Sequence, residues 1–391
     1  MRLRDRLRPL ERYYRKLGIT GEASAPVRYR GRALVSYIPL PLMPPRQFRD
    51  RRMFSNRGIA QELVRVLNDL GYIVDMINWR DDRFVPKREY DVFIGHGGSN
   101  FARLSERLSS DTTCIYFATG PRWDLLNQAC AHRAAAFADR HGWYVAPDRT
   151  VSDNEEEALN HADAIVCIGS KRVALPYMSL GLPVHEVPNA VFPGTREIPA
   201  RDLASTQSSF LFFSGGDPIL KGLDVFLDAS ARLPITCHVC QRASPGFFEV
   251  YGRIGYGRAQ VQRHGFVLVR SAKFYDLGAA SSWIVAPTAA EGQPGGLLEA
   301  MATGLIPIIS QDANLEVGDS GFVLDDPTPA HLGEVMASCL RLSHAELRRL
   351  STSAKSLIES KHRPVDFANA FEQALVDILG LSEASHAGDL L

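Results

Sequence analysis

The chain has 391 residues, of which 45% are hydrophobic and 23% charged, a composition typical of a globular protein with two domains of ordinary size. Its 44 basic and 44 acidic residues cancel, so no overall field favours nucleic acid as a partner. No apolar run reaches the roughly 18–20 residues of a membrane span. The six scattered cysteines do not form a disulfide-framework pattern, and the arginine-rich start lacks a signal peptide's apolar stretch. We therefore expect a cytoplasmic protein.

Residues 1–30 form a basic segment that differs from the rest of the chain. Up to Thr20 it carries seven basic and two acidic residues, with leucine and tyrosine at helical spacing. Such an amphipathic helix can make peripheral contact with an anionic membrane. The alternative is a terminal helix that frays or docks locally, split by Pro9. We favour the alternative, because one short segment of this kind is a weak signal.

From residue 32 onward, short apolar strands alternate with amphipathic helices. Strands are predicted at 33–38, 72–77, 91–94, 113–117, 164–168 and 184–187, and helices at 56–70, 125–140 and 155–162. This alternation indicates βαβ units and a parallel sheet. We assign residues 31–195 to a first Rossmann-like domain, which follows the basic segment.

A polar stretch with prolines, residues 193–209, predicts an interdomain linker. Beyond it, strands are predicted at 210–213, 235–239, 261–269 (broken by Gly265), 283–286 and 306–309, and helices at 220–233, 297–303, 330–342, 344–360 and 365–379. We assign residues 196–364 to a second Rossmann-like domain, and residues 365–391 to a tail and a helix that can cross back to the first domain. The fold class is therefore α/β, with two tandem doubly wound domains and a cleft where the carboxyl ends of their strands face each other.

Residues 286–310 have the pattern strand, glycine-rich turn, helix, strand. Two carboxylates flank the junction of turn and helix, and the residues concerned are Glu291, Gly292, Gln293, Pro294, Gly295, Gly296, Leu297 and Glu299. Backbone N–H groups of such a turn, together with a helix N-terminus, favour an anion. Two carboxylates beside an anion site suit a ligand that carries phosphate at one point and hydroxyl groups at others. A nucleotide sugar is such a ligand.

Further motifs accompany this loop: VPNAV at 187–191, KGLD at 221–224, HGFV at 264–267, APT at 286–288, LEAMATG at 298–304 and GFVL at 321–324. With these motifs the chain resembles the group 1 retaining glycosyltransferases, whose two-domain fold is called GT-B. The resemblance is good over residues 185–380 and diffuse over 30–185. Its most specific part is the pair of glutamates with the EAMATG tail.

The resemblance implies that the second domain holds the donor. Glu299 is expected to accept hydrogen bonds from ribose hydroxyl groups, and Glu291, with the amides of residues 292–297, to hold the donor sugar. Backbone near Phe266 and Val267 is expected to hold the base.

Lys221 is expected to contact the diphosphate and to offset the charge that develops as the sugar–phosphate bond breaks. A lysine in the first turn of a helix is unfavourable unless an anion is near, which favours this role over a solvated charge. Family members usually carry an arginine shortly before this lysine, but residues 214–218 contain none. Backbone N–H groups of Gly215 and Gly216, or Arg57 beside Gly58 in the opposite domain, are two candidate substitutes.

The resemblance implies that the first domain binds the acceptor. His96 follows the strand at 91–94, where family members often place a histidine, and it could orient the donor sugar or the acceptor. A hydrogen-bonded structural histidine is the alternative. Residues 119–122 and 169–170 end neighbouring strands and are further candidates.

Cys237 and Cys240 have C-x-x-C spacing, but no second Cys/His pair lies near enough to complete a zinc site, so we expect buried structural cysteines. The sequence also lacks a D-x-D metal signature, and we expect neither a metal nor another cofactor. The predicted function is metal-independent, retaining transfer of a sugar, of hexosyltransferase type, from a nucleoside-diphosphate sugar to a hydroxyl group of a glycan, lipid or small molecule. Two alternatives stay open: a non-catalytic GT-B protein that binds or regulates a partner, and another nucleotide-sugar enzyme such as an epimerase.

Overall fold

The computed structural model describes residues 19–20, 29–39, 56–151, 154–194, 201–242 and 245–381. The basic segment predicted over residues 1–30 lies almost entirely outside this part of the chain, as do residues 195–200 of the predicted linker and the tail at 382–391. Within the described ranges, none of the helices combines the length and apolarity required to cross a membrane.

The first sheet has seven strands among the described residues, and six of them are parallel. In chain order they are β1 (Ile19–Thr20), β2 (Gly31–Tyr37), β3 (Tyr72–Asn78), β4 (Val92–Gly95), β5 (Thr113–Ala118), β6 (Ala164–Ile168) and β7 (Val184–Val187). Their order in the sheet is β1-β3-β2-β4-β5-β6-β7, with β1 antiparallel at the edge. Strands β4 and β6 are buried along their whole length, as expected for a parallel sheet covered on both faces.

The helices that belong to this half of the sequence are α1 (Asn56–Asp69), α2 (Gly98–Ser105), α3 (Trp123–His141), α4 (Asn154–Asn160) and α5 (Lys171–Met178). Helix α1 shows why the apolar spacing predicts a helix. Its residues Ile59, Leu63 and Leu67, one turn apart, are all fully buried against the first sheet.

The second sheet has six parallel strands among the described residues: β8 (Ser209–Phe213), β9 (Thr236–Cys240), β10 (Gln260–Arg263), β11 (Trp283–Ala286), β12 (Ile306–Ser310) and β13 (Phe322–Leu324). Their order is β10-β9-β8-β11-β12-β13. The helices here are α6 (Leu203–Thr206), α7 (Leu223–Ser230), α8 (Pro245–Ile254), α9 (Ala272–Ala279), α10 (Gly295–Ala302), α11 (Pro329–Cys339), α12 (His344–Lys361) and α13 (Pro364–Ile378). The predicted α/β class with two doubly wound sheets is confirmed.

Each sheet reverses its winding direction once, between β2 and β4 in the first and between β8 and β11 in the second. At such a switch point the loops leaving neighbouring strands diverge and open a crevice at the carboxyl ends. Residues after β4 and β11, which include His96 and Glu291, therefore lie at these two crevices.

Two helices pack across the boundary between the halves of the sequence. Phe371 of α13 is fully buried in the core of the first sheet, where α13 packs beside α1. Phe137 of α3, from the first half, is fully buried in the core of the second sheet. Arg133 of α3 donates a 2.6 Å hydrogen bond to the carbonyl of Pro287, which follows β11. The two sheets are thus joined by packed helices as well as by the connecting chain.

The predicted boundaries of one strand and one helix in particular differ from those in the structure. The strand predicted at 261–269 ends at Arg263, because Gly265 adopts a left-handed φ of 66° and the ladder closes with the amide of His264 bonded to Val239. The helix predicted at 220–233 begins only at Leu223, because residues 217–222 form a turn of their own.

Candidate functional site

Two cavities lie at the carboxyl ends of the two sheets. The first cavity, about 680 Å³, is lined mainly by residues that follow strands of the first sheet, including His96 and Trp79. The second cavity, about 390 Å³, is lined by Lys221, Glu291 and the glycine-rich loop. Thr119, which follows β5, and Arg149, in the loop between α3 and α4, line both. The two cavities therefore meet in the cleft between the sheets.

The turn before α7 holds Lys221 in place. The carboxylate of Asp217 accepts backbone hydrogen bonds from Ile219 (2.9 Å) and Leu220 (3.0 Å), and the amide of Lys221 bonds to the Asp217 carbonyl at 3.1 Å. Gly222 has a left-handed φ of 78°, and a Cβ there would collide with the backbone of Pro287. The turn consequently needs glycine directly after the lysine.

Lys221 is only 4% exposed, and its Nζ forms an ion pair with the Glu291 carboxylate. Burial lowers the pKa of Lys221 well below the usual lysine value, the charge of Arg149 lowers it further, and Asp217 opposes both. The lysine thus lies before the helix, whereas the sequence analysis placed it in the first turn, and it lines the second cavity. Its charge and that of Glu291 are held together at the floor of the second cavity.

The loop that carries Glu291 is fixed against the first sheet. A Cβ on Gly292 would lie 2.6 Å from the carbonyl oxygen of Ile168 and 2.9 Å from that of Thr119, so glycine permits a close approach to the ends of β6 and β5. The side-chain Oε1 of Gln293 accepts a 2.7 Å hydrogen bond from the Asn189 amide, and its Nε2 donates to the Asn314 carbonyl at 3.0 Å. These bonds hold the Gln293 side chain against the backbone beside the cavity.

The other predicted donor-site residues of this loop line the second cavity: Pro294, Gly295, Gly296 and Leu297. Gly295 begins α10, with Pro294 as its N-cap residue, so the positive end of the helix lies at the cavity wall. Gly215 also lines this cavity, and a Cβ on Gly215 or Gly216 would meet no atom within 4 Å. Packing does not require a glycine at either position, but the positive φ of 92° favours one at Gly216. Gly215 lines the cavity and Gly216 does not.

Phe266 and Val267 form another part of the second cavity's wall. Phe266 is 54% exposed, and the Arg242 guanidinium stacks over its ring at 4.6 Å. An exposed ring backed by a cation is a surface on which a flat base can stack.

Glu299 has a different environment from the one expected at a ribose site. It is 4% exposed and does not line either cavity. Both carboxylate oxygens accept hydrogen bonds from Arg270, Oε2 from Nε and Oε1 from Nη2, each at 2.9 Å. Burial raises the pKa of Glu299, and Arg270 opposes this rise. Arg270, which sequence reasoning missed, also donates to the carbonyls of Phe192 and Pro193, in the segment after β7.

His96 lies in the first cavity with its ring held edge-on to Tyr37 and Trp79. Its Nδ1 is 3.2 Å from the carbonyl oxygen of Phe117, which can only accept, so Nδ1 carries the proton. Burial lowers the pKa of His96 to about 4. The imidazole is therefore neutral at pH 7, and Nε2 is left as a hydrogen-bond acceptor.

The pair proposed from the first long helix, Arg57 and Gly58, does not line the second cavity. The preceding residue, Asn56, does line it. A Cβ on Gly58 would collide with the Phe192 ring, so this glycine lets α1 pack closely on the segment after β7.

Arg149 is the cation that the structure brings to the second cavity beside Lys221, and the sequence analysis missed it. It stands in a polar loop without a local motif, so no pattern in the sequence distinguishes it from other surface arginines. Its approach to Lys221 depends on the packing of α3 against the second sheet.

Cys237 and Cys240 are both buried, one in each of the two core clusters that flank the second sheet, which confirms the structural interpretation of the C-x-x-C spacing. Within the described part of the chain, no three His, Cys, Asp or Glu side chains are grouped closely enough to hold a metal ion. Metal independence stays a prediction.

Comparison with known proteins gives a fold without a sequence family. No family model matches the chain, and no curated protein matches its sequence. TarM from S. aureus, solved with fondaparinux, α-GlcNAc-glycerol and UDP, aligns with a TM-score of 0.53 at 9% identity, over 72% of this chain and 55% of TarM. The chain thus spans about half the length of TarM.

Two other solved structures match along nearly their whole length. HepE from Anabaena, in complex with UDP and glucose, has a TM-score of 0.57 at 15% identity, covering 89% of this chain and 100% of HepE. Sucrose-phosphate synthase from Thermosynechococcus elongatus has a TM-score of 0.62 at 13% identity, covering 90% and 99%. Identities this low show the fold alone, and that fold is the two-domain GT-B arrangement that the sequence resemblance predicted.

Proposed function

We propose that this chain is a retaining glycosyltransferase of hexosyltransferase type that moves a sugar from a nucleoside-diphosphate sugar to a hydroxyl acceptor. The observation that carries the proposal is the meeting of two cavities at the switch points of both sheets, with the Lys221–Glu291 pair at the floor of the second. A two-substrate transfer needs two adjoining sites, and a cleft that both domains line can exclude water from the reaction.

In this proposal the second cavity binds the donor. Lys221 and the N-terminus of α10 offset the negative charge that grows on the diphosphate as the bond to the sugar breaks, which is the part a metal ion plays in other enzymes. Glu291 orients a sugar hydroxyl group, and Phe266 stacks on the base. The neighbour solved with UDP and glucose supports UDP-glucose as the first donor to try.

The first cavity would bind the acceptor. Neutral His96 can accept a hydrogen bond through Nε2, and Trp79, at the same wall, offers a ring surface on which a sugar can lie. In a retaining transfer the acceptor attacks from the face that the phosphate leaves, with the departing phosphate taking the acceptor's proton. This mechanism and the independence of metal come from the family resemblance.

A non-catalytic binding protein on the same fold is the second candidate. The observation that favours it is the bidentate contact of Arg270 with Glu299, which occupies the carboxylate expected to bind ribose. A cytoplasmic location belongs to the proposal as well, and membrane contact by residues 1–30 concerns a segment outside the described ranges.

Release of nucleoside diphosphate from a panel of nucleotide sugars tests the proposal, with EDTA-treated protein and sugar, glycan and lipid hydroxyl acceptors. Turnover with one donor, with the anomeric configuration of the product retained by NMR, is the expected result. Thermal shift with the same donors detects binding without turnover. Stabilisation by a nucleotide sugar with no release across the acceptor set would establish the non-catalytic alternative.

A further inference from the structure

We propose that Arg149 provides the second cation of an anion site at the junction of the two cavities, so that a diphosphate would lie between Lys221 of one domain and Arg149 of the other. This inference deepens the proposed function and rests on it for the identity of the ligand. It concerns a residue that no motif of the chain indicates.

The position of Arg149 is set by bonds to the turn that carries Lys221. The amide of the preceding residue, Asp148, donates a 2.6 Å hydrogen bond to Oδ2 of Asp217, and Oδ1 of the same carboxylate holds the amides of Ile219 and Leu220. The thiol of Cys130 on α3 donates to the Arg149 carbonyl at 2.9 Å. One buried carboxylate thus ties the loop of the first domain to the Lys221 turn of the second, which fixes both cations around the same cavity.

The guanidinium of Arg149 differs from the Lys221 ammonium group in its contacts. Lys221 is paired with Glu291, whereas the Arg149 guanidinium has neither a hydrogen bond nor an ion pair with any residue in the ranges that the structure describes. The carboxylate of Asp217 attracts it electrostatically, but those oxygens already accept three backbone N–H groups. Arg149 is exposed to the cleft, so its five N–H donors are available to a ligand.

The charges of Arg149 and Lys221 oppose each other. After burial, the Arg149 charge is the largest cause that lowers the pKa of Lys221, and it contributes to the low pKa of His96 as well. Two cations that face one cavity destabilise each other unless an anion lies between them. Binding of an anion between them would therefore relieve this repulsion.

The chemistry of the anion follows from the donors around it. An arginine fork matches two oxygens of a phosphate, a lysine acts as a point charge, and open glycine backbone at Gly215 lies at the same cavity. Because Arg149 also lines the first cavity, it would contact the phosphate nearest the transferred sugar. A diphosphate offers oxygens on two phosphorus atoms, and the proposed transfer would leave it at this junction as part of the nucleoside diphosphate.

Isothermal titration with inorganic pyrophosphate, and with UDP, ADP and GDP, tests the assignment on the full chain. Arg149→Gln removes the charge, Arg149→Lys keeps it without the fork, and Arg348→Gln is the matched control, because Arg348 is exposed on α12 away from the cleft. We expect Arg149→Gln to weaken pyrophosphate binding about tenfold or more, the usual loss for a charge-assisted hydrogen bond. Arg149→Lys should fall between, and the salt dependence of binding should be shallower in the glutamine variant.

The outcomes separate this inference from the proposed function. Loss of pyrophosphate binding in Arg149→Gln supports the anion site even if no nucleotide sugar is turned over. Pyrophosphate binding equal to that of Arg348→Gln, or none by the unaltered protein, overturns it, whatever the donor panel shows. If Arg149→Gln melts at a lower temperature than Arg348→Gln, the pyrophosphate affinity of Arg149→Lys is compared with that of the unaltered protein instead. Weaker binding by Arg149→Lys supports the anion site, and equal binding overturns it.

Discussion

At the scale of single residues, variants of the Lys221–Glu291 pair distinguish a catalytic role of the lysine from a structural one. Lys221→Met should lower kcat about 10²–10³-fold, the usual effect of removing one group that stabilises transition-state charge. It should also lower the free energy of unfolding by up to about 3 kcal/mol, because Glu291 is left largely buried without its partner. Adding Glu291→Gln should restore stability, measured by urea unfolding, without restoring turnover. Unchanged kcat in Lys221→Met would exclude the lysine from the reaction.

His96 makes a prediction about pH. Its pKa is about 4 in the folded protein against an ordinary 6.5, so between these values the unfolded chain binds more protons and stability rises with pH. The contribution of His96 is complete above about pH 6.5 and is lost as the pH falls towards 4, with at most about 3 kcal/mol at stake. Asn in its place keeps a donor for the Phe117 carbonyl but does not titrate. We expect urea unfolding of His96→Asn to lose less stability than the unaltered protein between pH 7 and 4. Parallel pH profiles would show that His96 is not the group responsible.

At the scale of elements, Arg270 joins three segments: the start of α9, helix α10 through Glu299, and the chain after β7 through Phe192 and Pro193. Glu299→Ala leaves this buried arginine without its carboxylate and should destabilise the protein by about 3–5 kcal/mol, measurable by chemical unfolding. The double variant Glu299→Met with Arg270→Met should regain part of that loss.

Nucleotide binding by the same variants distinguishes a ribose ligand from an element of structure. If Glu299 only holds Arg270 in place, the stable double variant should bind UDP with the affinity of the unaltered protein. UDP binding that is at least tenfold weaker, at matched stability, would instead support the contact between Glu299 and ribose that the family resemblance implies.

At the scale of the whole molecule, α3 and α13 each pack on the sheet of the other half, so the two sheets should unfold together. Phe137 is fully buried among residues of the second sheet, and Phe137→Ala should cost about 3–5 kcal/mol through the cavity that it leaves. We expect one calorimetric transition for the unaltered protein, with a lower melting temperature or two separated transitions in the variant. Leu125→Ala, at an exposed position on the same helix, is the control for loss of an apolar side chain. Equal melting temperatures for both variants would contradict a structural role of α3 in the second core.

The fold class, most strand positions and the glycine-rich loop could be predicted from the amino-acid sequence. Alternating apolar runs, glycines that end helices, and the turn from Glu291 to Gly296 are local patterns, and local backbone preference and burial of one face are enough to specify them. The boundary error at 261–269 arose because one glycine with positive φ interrupts an otherwise strand-like run.

Contacts between polar groups far apart in the sequence could not be predicted, because they depend on the tertiary structure. Arg133 and Pro287 are 154 positions apart, Arg270 and Glu299 are 29 apart, and Arg149 reaches the Lys221 turn through a loop whose own sequence is unremarkable in pattern. No periodicity encodes such pairings, because they depend on how one packed helix, α3, positions a loop of the first domain over the second sheet. The sequence predicts an anion site beside Glu291, whereas the packing of the two domains brings Arg149 to the same cavity.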